Sequence, residues 1–153
     1  MSGPYHDFLL LTRTEHRFSD YMRFINDPRA IRLEDELLHY IADTLEWIPT
    51  HNPAKNEPHR GLCFYGPTVI HTEGASAAAT IFGTWAALFA SGPENLILTG
   101  GWTMIEGDLP NQGEYEKLNL DRDDLVRKLR QIADYAKQIV DTDGDYCILH
   151  LGV

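Results

Sequence analysis

The stretch from Gly74 to Pro93, GASAAATIFGTWAALFASGP, carries no charged residue and lies between two strand-like runs, TVIHT (68–72) and NLILT (95–99). Within it Ala78, Ile81, Phe82, Trp85, Leu88 and Phe89 recur at helical spacing and form a wide apolar stripe, while the other positions are mostly Ala, Gly and Thr. Small side chains let a second layer approach closely, and Gly92-Pro93 supplies a stop. The spacing predicts a buried helix over 75–91. It is not a membrane span, because Gly83, Thr80, Thr84 and the alanines leave far fewer than the ~18 strongly apolar positions a crossing needs. A helix of this kind between two strands crosses a sheet.

Toward the C-terminus, LILTGGWTMIEG (96–107) reads as two strand-like runs separated by Gly100-Gly101, and two glycines supply the positive φ angles of a tight hairpin turn. A further strand is expected at 114–119. Asp121 then caps a helix over 122–140, whose core stripe is Leu125, Leu129, Ile132, Ala136 and Ile139 and whose outer face pairs Asp123 with Arg127 and Asp124 with Lys128. The sequence DTDGD (141–145) turns the chain into a last strand, YCILHL (146–151).

Toward the N-terminus, LCFY (62–65) and TVIHT flank Gly66-Pro67 and form a hairpin or one interrupted strand. The proline-rich PTHNPAKNEPHR (49–60) reads as a loop. Residues 33–47 place Leu37, Leu38, Ile41 and Leu45 on one helical face, and 14–26 do the same with Phe18, Tyr21, Met22 and Ile25 behind a Thr14 cap. The expected fold is α+β in two layers: a mixed or mainly antiparallel sheet of five or six strands, ferredoxin-like or related, carrying the two long helices. An N-terminal helical pair covers an edge or the second face. One domain is expected, with a helical hairpin over 1–48, a loop over 49–60 and an α+β core over 61–153.

The chain has 153 residues, 13 basic against 23 acidic, for a formal charge of −10. Such a surface repels phosphate backbones and anionic lipid and favours basic partners, or serves solubility alone. Neither a nucleic-acid nor a membrane role is expected. The opening MSGPYHDFLLLT lacks a basic leader, and its apolar run is too short for an export signal. Cys63 and Cys147 sit in apolar runs as small hydrophobes, with cross-strand pairing left open. Together these features predict a cytoplasmic protein.

Several motifs invite chemistry. Gly74-Ala75-Ser76-Ala77-Ala78 lies where a nucleophile elbow would place its serine, but the second glycine is missing. A cap or first-turn serine is the commoner role. His150 follows Ser76 in chain order, and Asp141, Asp143 or Asp145 could orient it. His71 and Glu73 share one face of an extended chain and resemble half of a zinc-deaminase signature, but the paired cysteines are absent, so no metal is expected. DTDGD has three alternating carboxylates but lacks the glycine and glutamate positions of a calcium loop, and reads as a turn. There is no G-x-G-x-x-G and no phosphate-loop lysine. No cofactor is expected.

Trp102, Met104 and Trp47 are read first as core residues, with exposed anchors as the alternative. Exposed tryptophans among carboxylates would form a hot spot for a basic partner. The acid-rich 106–124 segment offers such a surface, with Glu106, Asp108, Glu114 and Glu116 as its contact residues. The leading expectation is a small protein-binding module that engages a basic protein. In size, acidity and lack of catalytic motifs it resembles bacterial immunity proteins that inhibit toxin nucleases. The second expectation is a small hydrolase or acid–base enzyme using Ser76 or the His71, Glu73, His150 set.

Overall fold

The computed structural model describes residues 4–16, 21–104 and 112–153. Its strands are β1 (Tyr5–Thr12), β2 (Ile31–Glu34), β3 (Pro49–Asn52), β4 (Glu57–Arg60), β5 (Pro67–Ile70), β6 (Asn95–Met104), β7 (Gly113–Asp121) and β8 (Tyr146–Leu151). The helices are α1 (Arg13–His16), α2 (Asp35–Tyr40), α3 (Ala42–Leu45), α4 (Thr72–Ala90) and α5 (Arg122–Thr142), with a 3-10 turn at Tyr21–Phe24. The fold is α+β. Six strands form an antiparallel sheet in the order β2-β1-β8-β5-β3-β4, and β6 pairs with β7 in a separate ribbon.

The two long helices pack on each other and on one face of the sheet. Phe8, Ile70 and Ile148 meet Ala75, Ala78, Phe82, Leu129 and Ile132 there, all fully or nearly fully buried. Alanines at 75, 78, 86, 133 and 136 line this interface, so the two helices and the sheet sit close. The opposite face is smaller: Leu9, Leu11, Val69, Cys147 and Leu149 lie against Phe24, Tyr21 and Ala30. Both cysteines are free thiols, and burial pushes that of Cys147 up to about 12.

The expected N-terminal helical pair does not form. The apolar run read only as a failed export signal is β1, which pairs with β8 from Asp7↔Leu151 to Thr12↔Tyr146. Ile31 and Leu33 are buried and Arg32 and Glu34 exposed, a period of two that makes a strand where a helix start was expected. Helical turns resume at Asp35 and break again at Ile41, whose φ of −103° and ψ of 9° separate α2 from α3. Of the expected 14–26 helix the described residues show two short turns, and residues 17–20 lie outside them. The N-terminal segment is thus part of the main sheet.

The proline-rich 49–60 loop is a hairpin. Asn52 Oδ1 accepts from the backbone N–H groups of Ala54 and Lys55, and Asn56 takes a φ of 51°, which together tighten the turn. β4 is one of the two edge strands, β2 being the other, and carries Pro58, opposite His51. LCFY forms no strand, although Phe64 O accepts from Val153 N.

Gly100-Gly101 is not a turn. β6 runs straight through it, with Thr99 opposite Lys117 and Trp102 opposite Tyr115, so two residues face Glu116 alone. That is a β-bulge. The ribbon therefore stands between α4 and α5 as a sheet of its own, unlike the ferredoxin-like expectation. Asp121 caps α5 as expected, accepting from Asp124 N at 2.9 Å. Lys128 meets Asp124 at 3.1 Å, whereas Arg127 also chooses Asp124 and leaves Asp123 to Arg122. DTDGD is the expected turn, with Asp143 left-handed at φ 52° and Gly144 at φ 96°.

Candidate functional site

The ribbon has two unlike halves. Leu96, Leu118 and Leu120, near the body, are buried in the core. Beyond the bulge the side chains are exposed: Trp102 51%, Met104 51% and Tyr115 55%. The Trp102 and Tyr115 rings meet edge to face with centroids 5.0 Å apart. Gly113 makes room for them, since a Cβ there would lie 2.9 Å from Trp102 Cε2. Glu114 and Glu116 stand on the same strand as Tyr115, and Glu116 Oε1 accepts from Thr103 Oγ1 at 3.1 Å. Trp102 and Trp47, read first as core, are both exposed. Glu106 and Asp108 lie outside the described residues.

Between the ribbon and α2 opens a cleft of about 520 Å³. Glu36, His39 and Tyr40 form its α2 wall, and Thr99, Gly100, Gly101, Glu116 and Leu118 form its ribbon wall. The bulge therefore lies in the cleft. A Cβ at Gly100 would come within 2.9 Å of Leu118 Cδ1, whereas Gly101 faces open space.

His39 also leads inward along a line of polar side chains. Its Nε2 lies 3.3 Å from Asp35 Oδ2, and Asp35 Oδ1 is 2.7 Å from His6 Nε2. His6 Nδ1 in turn lies 2.8 Å from His150 Nε2. β1 supplies His6, α2 supplies Asp35 and His39, and β8 supplies His150, so three elements are tied together. Both inner histidines are wholly buried. Burial lowers the His6 pKa against the opposing hydrogen bond and charge of Asp35, and burial followed by the neighbouring His6 drives His150 well below its ordinary value.

Neutral rings fix the tautomers. His6 donates from Nε2 to the carboxylate, so its Nδ1 accepts from His150 Nε2–H, and His150 Nδ1 is left as a bare acceptor. That nitrogen has no partner among the described residues. Phe64 presents an edge to His6, and Phe8 lies 5.0 Å from His150, centroid to centroid, which keeps the inner end apolar. Neither His6 nor Asp35 is a sequence candidate. The signal that could have found them is the alternation in YHDFLLLT, where His6 shares a face with Phe8.

The candidate catalytic residues do not assemble. Ser76 is exposed in the second turn of α4, while His150 is buried and bonded to His6. The helix starts at Thr72, so the cap position belongs to His71 and Ser76 is not a cap. Gly74 serves packing, because a Cβ there would lie 2.0 Å from Pro49 O. His71 and Glu73 instead share a shallow pocket of about 200 Å³ with His51 and Pro58, the His51 and His71 rings being 5.9 Å apart. His150 is in register with Thr68, near the start of β5, whereas His71 follows its end. Among the described residues no group of three or more His, Cys, Asp or Glu side chains could hold a metal ion.

No protein family, curated protein or solved structure matches this chain.

Proposed function

We propose that the protein is a protein-binding module whose ribbon docks on a basic protein, as an immunity-type inhibitor of a toxin or nuclease would. The observation that carries this reading is the Trp102–Tyr115 pair, exposed beyond the last core contact of the ribbon and flanked along β7 by Glu114 and Glu116. Two large aromatic rings held against each other lose little side-chain entropy on binding and bury much area, which is what interface anchors do. Adjacent carboxylates and a chain charge of −10 steer a basic partner to them. The same charge disfavours nucleic acid. No described helix is long and apolar enough to cross a membrane. Two free cysteines suit a reducing, cytoplasmic setting.

The hydrolase or acid–base alternative lacks comparable support, because Ser76 faces solvent and His150 is enclosed. The test is affinity capture from a lysate of the source organism, comparing the protein with its Trp102→Ala variant under rising salt. The expected result is a stoichiometric basic protein that salt releases and that the variant binds about 30-fold more weakly. Glu114→Lys with Glu116→Lys slows association and flattens its salt dependence. An acidic partner, no stoichiometric partner, or equal capture by Trp102→Ala overturns the reading.

A further inference from the structure

We infer that the cleft between α2 and the ribbon bulge is a seat for one arginine side chain of the partner, with its stem on Leu118 and its guanidinium on the Tyr40 ring between Glu36 and Glu116. The inference rests on the protein-binding reading and adds the chemistry of the residue that is gripped.

Three features converge on a long, cationic, partly apolar occupant. The first is space. At about 520 Å³ the cleft far exceeds the roughly 30 Å³ share of one water molecule, and at its bulge Gly101 faces open space where another residue would project a side chain. The second is charge. Glu36 and Glu116 come from opposite walls, and among the described residues neither has a cationic partner. Lys117, the nearest cation in sequence, donates to Thr99 Oγ1 instead. Glu34 of β2, partly desolvated and next opposed by the charge of Glu36, is held above the ordinary carboxylate range. The third is an aromatic face. Tyr40 is 44% exposed, so its ring can carry a planar cation.

Those features select arginine over lysine. A guanidinium offers several donors in a plane, reaches two carboxylates at once and stacks on tyrosine, whereas an ammonium is a compact, strongly hydrated point charge. The bulge matters because it sets Glu116 opposite two glycines, of which Gly101 faces open space.

The probe is N-acetyl-arginine amide, titrated into the isotope-labelled protein with backbone amide shifts as the readout. The lysine analogue and the neutral citrulline analogue are run beside it. The expected result is saturable shifts at Gly100, Gly101 and His39 for arginine, weaker ones for lysine and none for citrulline. Glu36→Gln and Glu116→Gln, both on exposed positions, should each weaken the arginine response about tenfold. Citrulline binding as well as arginine, shifts that never saturate, or shifts confined to other acidic surfaces overturn the inference. The two readings separate cleanly. Capture that is lost in Trp102→Ala but unchanged in Glu36→Gln and Glu116→Gln keeps the binding function and removes the arginine seat. Saturable arginine binding with no captured partner keeps the seat and removes the function.

Discussion

His6 is the side chain on which the buried polar line depends, since it alone touches both Asp35 and His150. Replacing it by leucine leaves Asp35 to His39 alone and His150 Nε2–H without a partner, whereas replacing His150 leaves only one bare nitrogen on His6. His6→Leu should therefore cost more stability than His150→Leu. The double-mutant cycle should show a coupling of about 1–3 kcal/mol, while additivity to within ~0.5 kcal/mol in urea unfolding would show that the 2.8 Å contact contributes nothing. The same pair sets a pH dependence. Both rings are kept neutral in the fold by burial, and each can bind a proton once the chain unfolds. Their contribution is whole above the free value of about 6.5 and is lost as pH falls, by up to about 1.4 kcal/mol per pH unit per ring. Asp27, held low by its hydrogen bonds from Arg29, acts in a separate window below about pH 4. Stability measured between about pH 5 and 6.5 should rise with pH, and the slope should flatten in a His6→Phe, His150→Phe variant. An unchanged slope would refute this assignment. None of it was legible in the sequence beyond His150 itself, because the line joins side chains 29 and 144 residues apart.

The two long helices and the last strand were the readable elements. α4, α5 and β8 fall within a few residues of their expected limits, because a helix of 19 or 21 residues repeats its apolar period often enough to exclude a strand. Short apolar runs carry no such redundancy. IRLE spans four residues and fits either period, and only its pairing with β1 makes it a strand. The β3–β4 hairpin was hidden by its polar, proline-bearing sequence. Gly100-Gly101 misled for a different reason: two glycines meet the demand of a tight turn, but they equally relieve the crowding of two residues set against one. The glycine at the head of α4 answers a packing demand. Gly74→Ala would gain up to about 1 kcal/mol in helix propensity but drives a methyl into the Pro49 carbonyl, an overpacking that costs about 1–3 kcal/mol. A net loss of stability in chemical denaturation is expected, and a stabilised variant would show that α4 and β3 are not in close contact.

In the proposed function, body and ribbon divide stability from recognition. The core is filled by the sheet and the two long helices, and the ribbon adds to it only through its inner half. Trp102→Ser with Tyr115→Ser should therefore leave unfolding stability within about 0.5 kcal/mol per position while abolishing partner capture, and a large drop in stability would mean that the arm is structural. The acidic, aromatic character of this arm was visible in the sequence, but not its projection from the body or the cleft at its base, which exist only once α2 is set beside the bulge. The β4 edge of the main sheet has one more consequence. Gly61 N donates to Ile48 O at 2.9 Å, and the antiparallel alternation that follows puts Pro58 at a non-bonded place, with its backbone nitrogen directed away from β3. A strand arriving from another molecule would look for a donor there and find a ring carbon. The row it meets is also only four residues long and fully exposed. This border is thereby blunted against extension by a neighbour, which disfavours edge-to-edge zipping of crowded copies along it.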